Sequence, residues 1–156
     1  MSVLTNGKAV KTKSMFRMEI AVAININATP AKIWALLTHA KDFPRWNSTI
    51  QSIDGVIAMG EKVKLKAKIS PDRTFNLLVT KFEPNATLVW QDGMAPMFKG
   101  IRTYTLTSKN DGTTDVSMVE VFSGLMLPMI ASSLPDFSPS FEQYATDLKK
   151  EAELAR

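Results

Sequence analysis

Two alternating runs, Phe98–Ser108 and Thr113–Ser123, flank the tetrapeptide Lys-Asn-Asp-Gly, and Asp111-Gly112 is a strong hairpin signal. If Leu106 faces Val116 across that turn, then Tyr104 faces Met118, Arg102 faces Glu120 and Gly100 faces Phe122. Residues two apart in a strand share a face. Tyr104, Leu106, Val116, Met118 and Phe122 mark this face as the inner one, which places Arg102 and Glu120 inside as a charge pair. Two charges in an apolar interior are expensive unless paired and hydrogen-bonded. As chemistry, the guanidinium can hold a carboxylate, phosphate or enolate oxygen, and the carboxyl group can accept or donate a proton. As structure, the same couple is an ion pair lining a closed core or a solvated cavity mouth. A one-residue slip of the hairpin would turn all of these side chains to the other face.

Tyr104 and Tyr144 are the only phenols. Tyr144 lies with Phe137, Phe141, Ala145, Leu148 and Ala152 on one apolar stripe at helical spacing, so each tyrosine can offer a hydroxyl to a ligand or simply pack. Trp90 ends a central strand beside the loop Asp92–Met97 and can edge a cavity; Trp46 can guard its mouth; Trp34 reads as framework. Met94, Met97, Met118, Met126 and Met129 cluster in the second half, and methionine suits irregular apolar sites as well as plain gap filling. The candidate ligand-contacting set is therefore Arg102, Tyr104, Met118, Glu120, Phe122, Trp90, Trp46, Met97, Phe141 and Tyr144. Glu120 and Arg102 are the catalytic pair if the protein is an enzyme. His39, the single histidine, sits at a helix end and reads as a dipole-matched residue rather than a base.

Other chemistries find no support. There is no cysteine, hence no disulfide, thiolate metal site or cysteine nucleophile, and one histidine builds no multi-histidine zinc site. The seven glycines form neither a GxGxxG nor a P-loop pattern, and there is no Gly-x-Ser-x-Gly elbow or EF-hand spacing. Neither a metal nor a cofactor is expected. The net charge of +4 invites a nucleic-acid reading. Four of the nineteen basic residues, Lys8, Lys11, Lys13 and Arg17, fall in the first 17, which contain no acid, so the remaining fifteen balance the fifteen acids. The excess belongs to residues 1–15, expected as a flexible basic arm, and no nucleic-acid partner is expected. No apolar run of about 18 residues occurs, so stable membrane insertion is not expected and the chain reads as cytoplasmic. A monomer and a homodimer fit equally well.

The elements that must hold these groups follow from periodicity. At 156 residues the chain makes one domain, read as residues 16–156. Phe16–Asn27 alternates over twelve residues and predicts a long half-buried strand. Thr29 caps a helix that starts at Pro30, and Pro44 forces a second short helix at an angle. Thr49–Met59 reads as a strand broken at Asp54-Gly55. Glu61–Ile69 puts Val63, Leu65, Ala67 and Ile69 on one face and Lys62, Lys64, Lys66 and Lys68 on the other, a solvated lysine face or an anion-binding one. Arg73–Glu83 and Thr87–Gln91 are further strands, and Asp92–Met97 is a loop. A long amphipathic helix begins between Leu134 and Pro139 and ends near Leu154. Strands in hairpin succession with one covering helix make an α+β, two-layer fold.

The strand leading into ATPAKIWALLTHAKDFPRWN, the central LVTKFEPNATLVWQDG and the closing FKGIRTYTLTSKNDGTTDVSMVEVFSGLMLP with its terminal helix resemble the polyketide cyclase/dehydrase-like proteins of the START and birch-pollen-allergen superfamily. The resemblance spans about Phe16 to Leu154. It implies a helix-grip fold: a curved seven-stranded antiparallel sheet around the C-terminal helix, two short helices after the first strand, and a cavity between sheet and helix. It further implies binding of a lipid, aromatic or polyketide-type molecule, with a cyclase or dehydratase activity or a co-chaperone-like protein interaction as the alternatives. A cavity of roughly 300 Å³ or more separates the small-molecule readings from the protein-interaction one.

Overall fold

The computed structural model describes residues 6–154. Eight strands form one antiparallel sheet. They are β1 (Val10–Lys13), β2 (Arg17–Ile26), β3 (Ile50–Asp54), β4 (Lys62–Ala67), β5 (Phe75–Glu83), β6 (Thr87–Met94), β7 (Phe98–Ser108) and β8 (Thr114–Ser123). Their order is β1-β2-β8-β7-β6-β5-β4-β3. All links from β3 to β8 are hairpins, and β8 closes against β2 over ten paired residues, Arg17 with Ser123 through Ile26 with Thr114. Register shifts in β3–β4 and β5–β6 bend the sheet.

The helices fall where the sequence breaks alternation. Helix α1 (Pro30–Thr38) is capped by the Thr29 hydroxyl, which accepts from Lys32 N at 3.2 Å, with proline at the first position. After a 3₁₀ turn, α2 (Phe43–Trp46) completes the two-helix link to β3. Helix α3 (Leu127–Ile130) and a second 3₁₀ turn lead to α4 (Ser138–Ala152). Phe141, Tyr144, Ala145, Leu148 and Ala152 of α4 are buried against the sheet's inner face. That stripe meets Ile20, Val22, Ile24 and Ile26 of β2, Leu106 of β7 and Val116 of β8 in one core.

Three expectations need correction. The sheet has eight strands rather than seven. The extra one comes from the segment read as an arm: Val10–Lys13 pair with Met18–Ala21, covering the β2 edge that β8 leaves open. Ala9 N also donates to Glu142 Oε2 of α4 at 2.9 Å, and Asn6 Oδ1 accepts from Asn25 N at 2.9 Å. β6 runs to Met94 instead of Gln91. The Asp92-Gly93 pair looks like a turn, yet Gly93 sits inside the ladder opposite Lys99 at φ +86°, where a Cβ would collide with the Phe98 carbonyl oxygen. The strand read over Thr49–Met59 is confined to Ile50–Asp54. The lysines of β4 lie on the exposed outer face.

Candidate functional site

The β7–β8 ladder pairs Leu106 with Val116, Tyr104 with Met118, Arg102 with Glu120 and Gly100 with Phe122. This is the register that the Asp-Gly turn and the alternation predict. Arg102 Nε donates to Glu120 Oε1 at 2.8 Å, with 17% and 11% of the two side chains exposed. The guanidinium carbon lies 4.9 Å from the centre of the Phe141 ring, so α4 caps the cation with an aromatic face. Arg102 Nη1 donates to the Tyr104 hydroxyl at 3.4 Å, and that hydroxyl donates to Tyr144 Oη at 3.0 Å. A polar chain thus crosses from the sheet to the helix through an otherwise apolar layer.

Burial raises the Glu120 carboxyl above the ordinary carboxylate range, and Asp92 adds to the rise; the charge and hydrogen bond of Arg102 work the other way without cancelling it. Burial also works against the Arg102 cation, but its polar neighbours, Glu120 among them, outweigh that and hold it charged. Tyr104 and Tyr144 are both pushed up by burial and stay neutral hydroxyls.

Beside this chain lies a hollow of about 80 Å³. Ile50, Leu65 and Leu77 of β3 to β5 and Trp90, Gly100, Arg102, Glu120 and Phe122 of β6 to β8 line it from the sheet. Leu134, Phe137 and Phe141 cover it, and Arg73 and Asp92, 3.9 Å apart, stand at its edge. Phe137 stacks on Phe122 at 5.5 Å, and Phe122 on Phe98 at 5.9 Å. The volume is well under the roughly 300 Å³ of a drug-sized pocket. It is enough for a fragment of a few heavy atoms. A larger guest needs more room than this hollow offers.

Of the ten candidate ligand-contacting residues, Arg102, Glu120, Phe122, Trp90 and Phe141 border the hollow. Tyr104 and Tyr144 lie one layer behind, joined to Arg102 by hydrogen bonds. Trp90 stands edge-on to Tyr104 at 5.4 Å and Trp46 edge-on to Tyr144 at 5.9 Å, so Trp46 backs the tyrosine rather than guarding a mouth. Met118 is buried in the core and does not border the hollow. Met97 is 49% exposed on a loop tip, away from the hollow, because the backbone there turns to close the β6–β7 hairpin. His39 is exposed at the end of α1.

Residues not singled out for the site include Asp92, Arg73, Phe98, Leu134, Phe137 and Gly100. Asp92 had a signal: it lies two residues beyond Trp90 and so shares its face once β6 is known to continue. Gly100 had one too, as a lone glycine among bulky strand residues. An added Cβ there would meet Glu120 Oε2 and Phe122 Cε1 at 3.3 Å, so its missing side chain helps leave the hollow open. Behind the site, the buried Trp46 Nε1 and Asn47 Nδ2 find no hydrogen-bond acceptor among the described residues.

Residues 17–153 match the model of a family described as polyketide cyclase / dehydrase and lipid transport. The chain belongs to that family. No curated protein matches it in sequence. Among solved structures it is similar to truncated norcoclaurine synthase from Thalictrum flavum, at 11% identity and a TM-score of 0.69, covering 94% of this chain and 100% of that one. It is also similar to a START superfamily protein from Mycobacterium smegmatis, at 15% identity and a TM-score of 0.64, covering 86% and 97%. A third is the Aha1 dimer from Colwellia psychrerythraea, at 20% identity and a TM-score of 0.65, covering 87% and 96%. At these identities the likeness establishes the shared helix-grip architecture.

Proposed function

We propose that the protein binds an apolar or amphiphilic small molecule between the sheet and α4, with an acidic or enolic oxygen of the guest on Arg102 and its apolar part against the rings of Phe122, Phe137 and Phe141. The observation that carries this reading is the position of the Arg102–Glu120 couple. It is nearly buried yet borders a hollow, at a rung where the fold would be served as well by an apolar pair like Leu106–Val116. Burying two charges costs several kcal/mol per ion before their attraction is counted, and an apolar replacement is often neutral or stabilising. A few placed polar groups in an apolar pocket orient a guest. The family description, with cyclase, dehydrase and lipid transport in it, supports the same class of guest. The hollow's volume taken alone favours a protein-interaction role; the charged wall outweighs it.

Anilinonaphthalene sulfonate, an apolar probe with a permanent negative charge, tests the reading. Uptake by the folded chain, displacement by fatty acids and at least tenfold weaker uptake in Arg102→Met with Glu120→Leu are the expected results. No uptake, together with native mass spectra showing only the bare chain from its source, would sink it. A second reading is a cyclase or dehydratase in which Glu120 exchanges the proton and Arg102 holds the developing oxyanion. The raised Glu120 carboxyl favours it, because a proton-transfer group works best near the operating pH. Its measure is turnover that Glu120→Gln abolishes while the fold survives.

A further inference from the structure

Three loops meet at one end of the sheet. Ser14–Phe16 joins β1 to β2, Ala95–Met97 joins β6 to β7, and Gly124–Met126 leads from β8 into α3. Backbone hydrogen bonds clamp them together: Gly124 N donates to the Phe16 carbonyl at 3.1 Å, Leu125 N to Pro96 at 3.0 Å and Met126 N to Met97 at 2.9 Å. On these loops and the residues adjoining them stand Met15, Phe16, Met94, Met97, Leu125 and Met129, exposed by 69%, 47%, 78%, 49%, 59% and 74%. Large apolar side chains scattered singly over a surface need no explanation. Six gathered on three clamped loops and the residues next to them do, because exposed apolar surface brought together in this way marks an interaction site.

The charges around this end have one prevailing sign. Lys11 and Lys13 of β1, Arg17 at the start of β2 and Lys99 near the start of β7 lie on the strand ends that these loops join. Glu19 holds Arg17 at 2.9 Å, and the field of Lys11 reaches Asp136. Four cations against two acids leave a basic collar behind an apolar crown. The apolar groups are spread over the loops, the last residue of β6 and α3, and none of them lines the hollow. Four of the six are methionines, whose unbranched chains adapt to a partner without fixed shape. A bilayer surface offers both complements at once: acyl chains for the tips and anionic headgroups for the collar.

We propose that this end of the sheet docks on an anionic lipid bilayer. The docking is peripheral; among the described residues no helix is long and apolar enough to cross a membrane. It lays the membrane beside the segment 124–137, whose Leu134 and Phe137 cover the hollow. The proposal goes beyond the reading of the hollow and stands on the loops alone, so it does not require that a guest bind inside.

Co-sedimentation of the full chain with vesicles tests it, using phosphatidylcholine alone and phosphatidylcholine with about one-fifth phosphatidylserine. The chain is expected to sediment with the phosphatidylserine vesicles and to be released by roughly 0.5 M salt. Met94→Ser with Met129→Ser should weaken binding at least tenfold, and Lys13→Gln about fivefold. These side chains are exposed, so the variants should keep the parent's circular dichroism. Arg102→Met with Glu120→Leu should sediment like the parent, which keeps this result separate from the fate of the hollow. Failure to sediment with either vesicle, equal sedimentation with both, or indifference to the methionine pair overturns the proposal. Self-association that the methionine pair abolishes, without vesicle binding, also overturns it and assigns the patch to a protein surface.

Discussion

Along β7 and β8 one face of one ladder carries two kinds of region. At the turn end Leu106 faces Val116 and Tyr104 faces Met118, all of them 6% exposed or less. Two rungs on, Arg102 faces Glu120, and beyond them Gly100 faces Phe122. Backbone, pairing and register are the same throughout. What changes is whether side chains fill the space beneath α4. Toward the turn end, volume is matched and the helix sits down on the sheet through residues such as Leu148, 2% exposed, and Ala152, fully buried. At the other end a missing side chain at Gly100 and a guanidinium that must keep its hydrogen bonds leave a hollow. The cover over it is Leu134 and the half-buried Phe137, which precede α4, together with Phe141 of α4. Close packing lies at one end of the helix, and the charge couple with its hollow at the other.

This contrast can be broken in several ways. The largest effect belongs to the packed end: Leu148→Ala should cost about 3–4 kcal/mol, roughly 6–16 °C in Tm, while leaving probe uptake by the hollow unchanged in the folded fraction. Equal loss of uptake would mean the two ends are one cooperative site. Next comes Glu120→Ala, which strands a cation that is still slightly wetted. We expect about 2–3 kcal/mol, under the 3–5 of a fully buried pair, by denaturant titration. Arg102→Met with Glu120→Leu should regain most of that stability and still lose the anionic probe, which separates the couple's structural part from its binding part. A smaller effect follows from Phe137→Ala, about 1 kcal/mol of stability with several-fold faster probe entry, because the ring stacks on Phe122 and covers the hollow. Slower entry would show that Phe137 is a contact rather than a cover.

The smallest effect is in pH. Glu120 has a raised pKa in the folded state, so its stabilising contribution is full below the ordinary carboxylate pKa and is lost as pH rises through its folded value. Protonation in that window also removes the counter-charge of Arg102. The sulfonate probe should therefore bind a few-fold more tightly as pH falls through it, with Asp92 as the other acid at the hollow. Glu120→Gln should flatten both dependences; a pH profile unchanged in that variant would place the titration elsewhere.

How far the site was legible depends on how local each cause is. The β7–β8 register follows from an Asp-Gly turn and two alternating runs, so the Arg102–Glu120 couple could be placed from neighbouring residues alone. The α4 stripe and the Thr29-Pro30 start of α1 are equally local. Asp92 was missed because Asp-Gly has two meanings, a turn or a glycine inside a ladder, and only the partner strand decides which. Met97 was misplaced for a related reason: abundance and nearness in sequence to the hollow say nothing about which way a hairpin tip faces.

Alternation, caps and turn chemistry thus determined the order of elements, the α+β class and a charge couple on the inner face, because each acts over a few residues. Tertiary structure alone decided the eighth strand, the Tyr104–Tyr144 bridge, the 80 Å³ left beside Arg102 and the meeting of three loops in one apolar crown. Those depend on which distant surfaces come together and how completely their volumes match, and a difference between two large packed volumes is not written in any short stretch of chain.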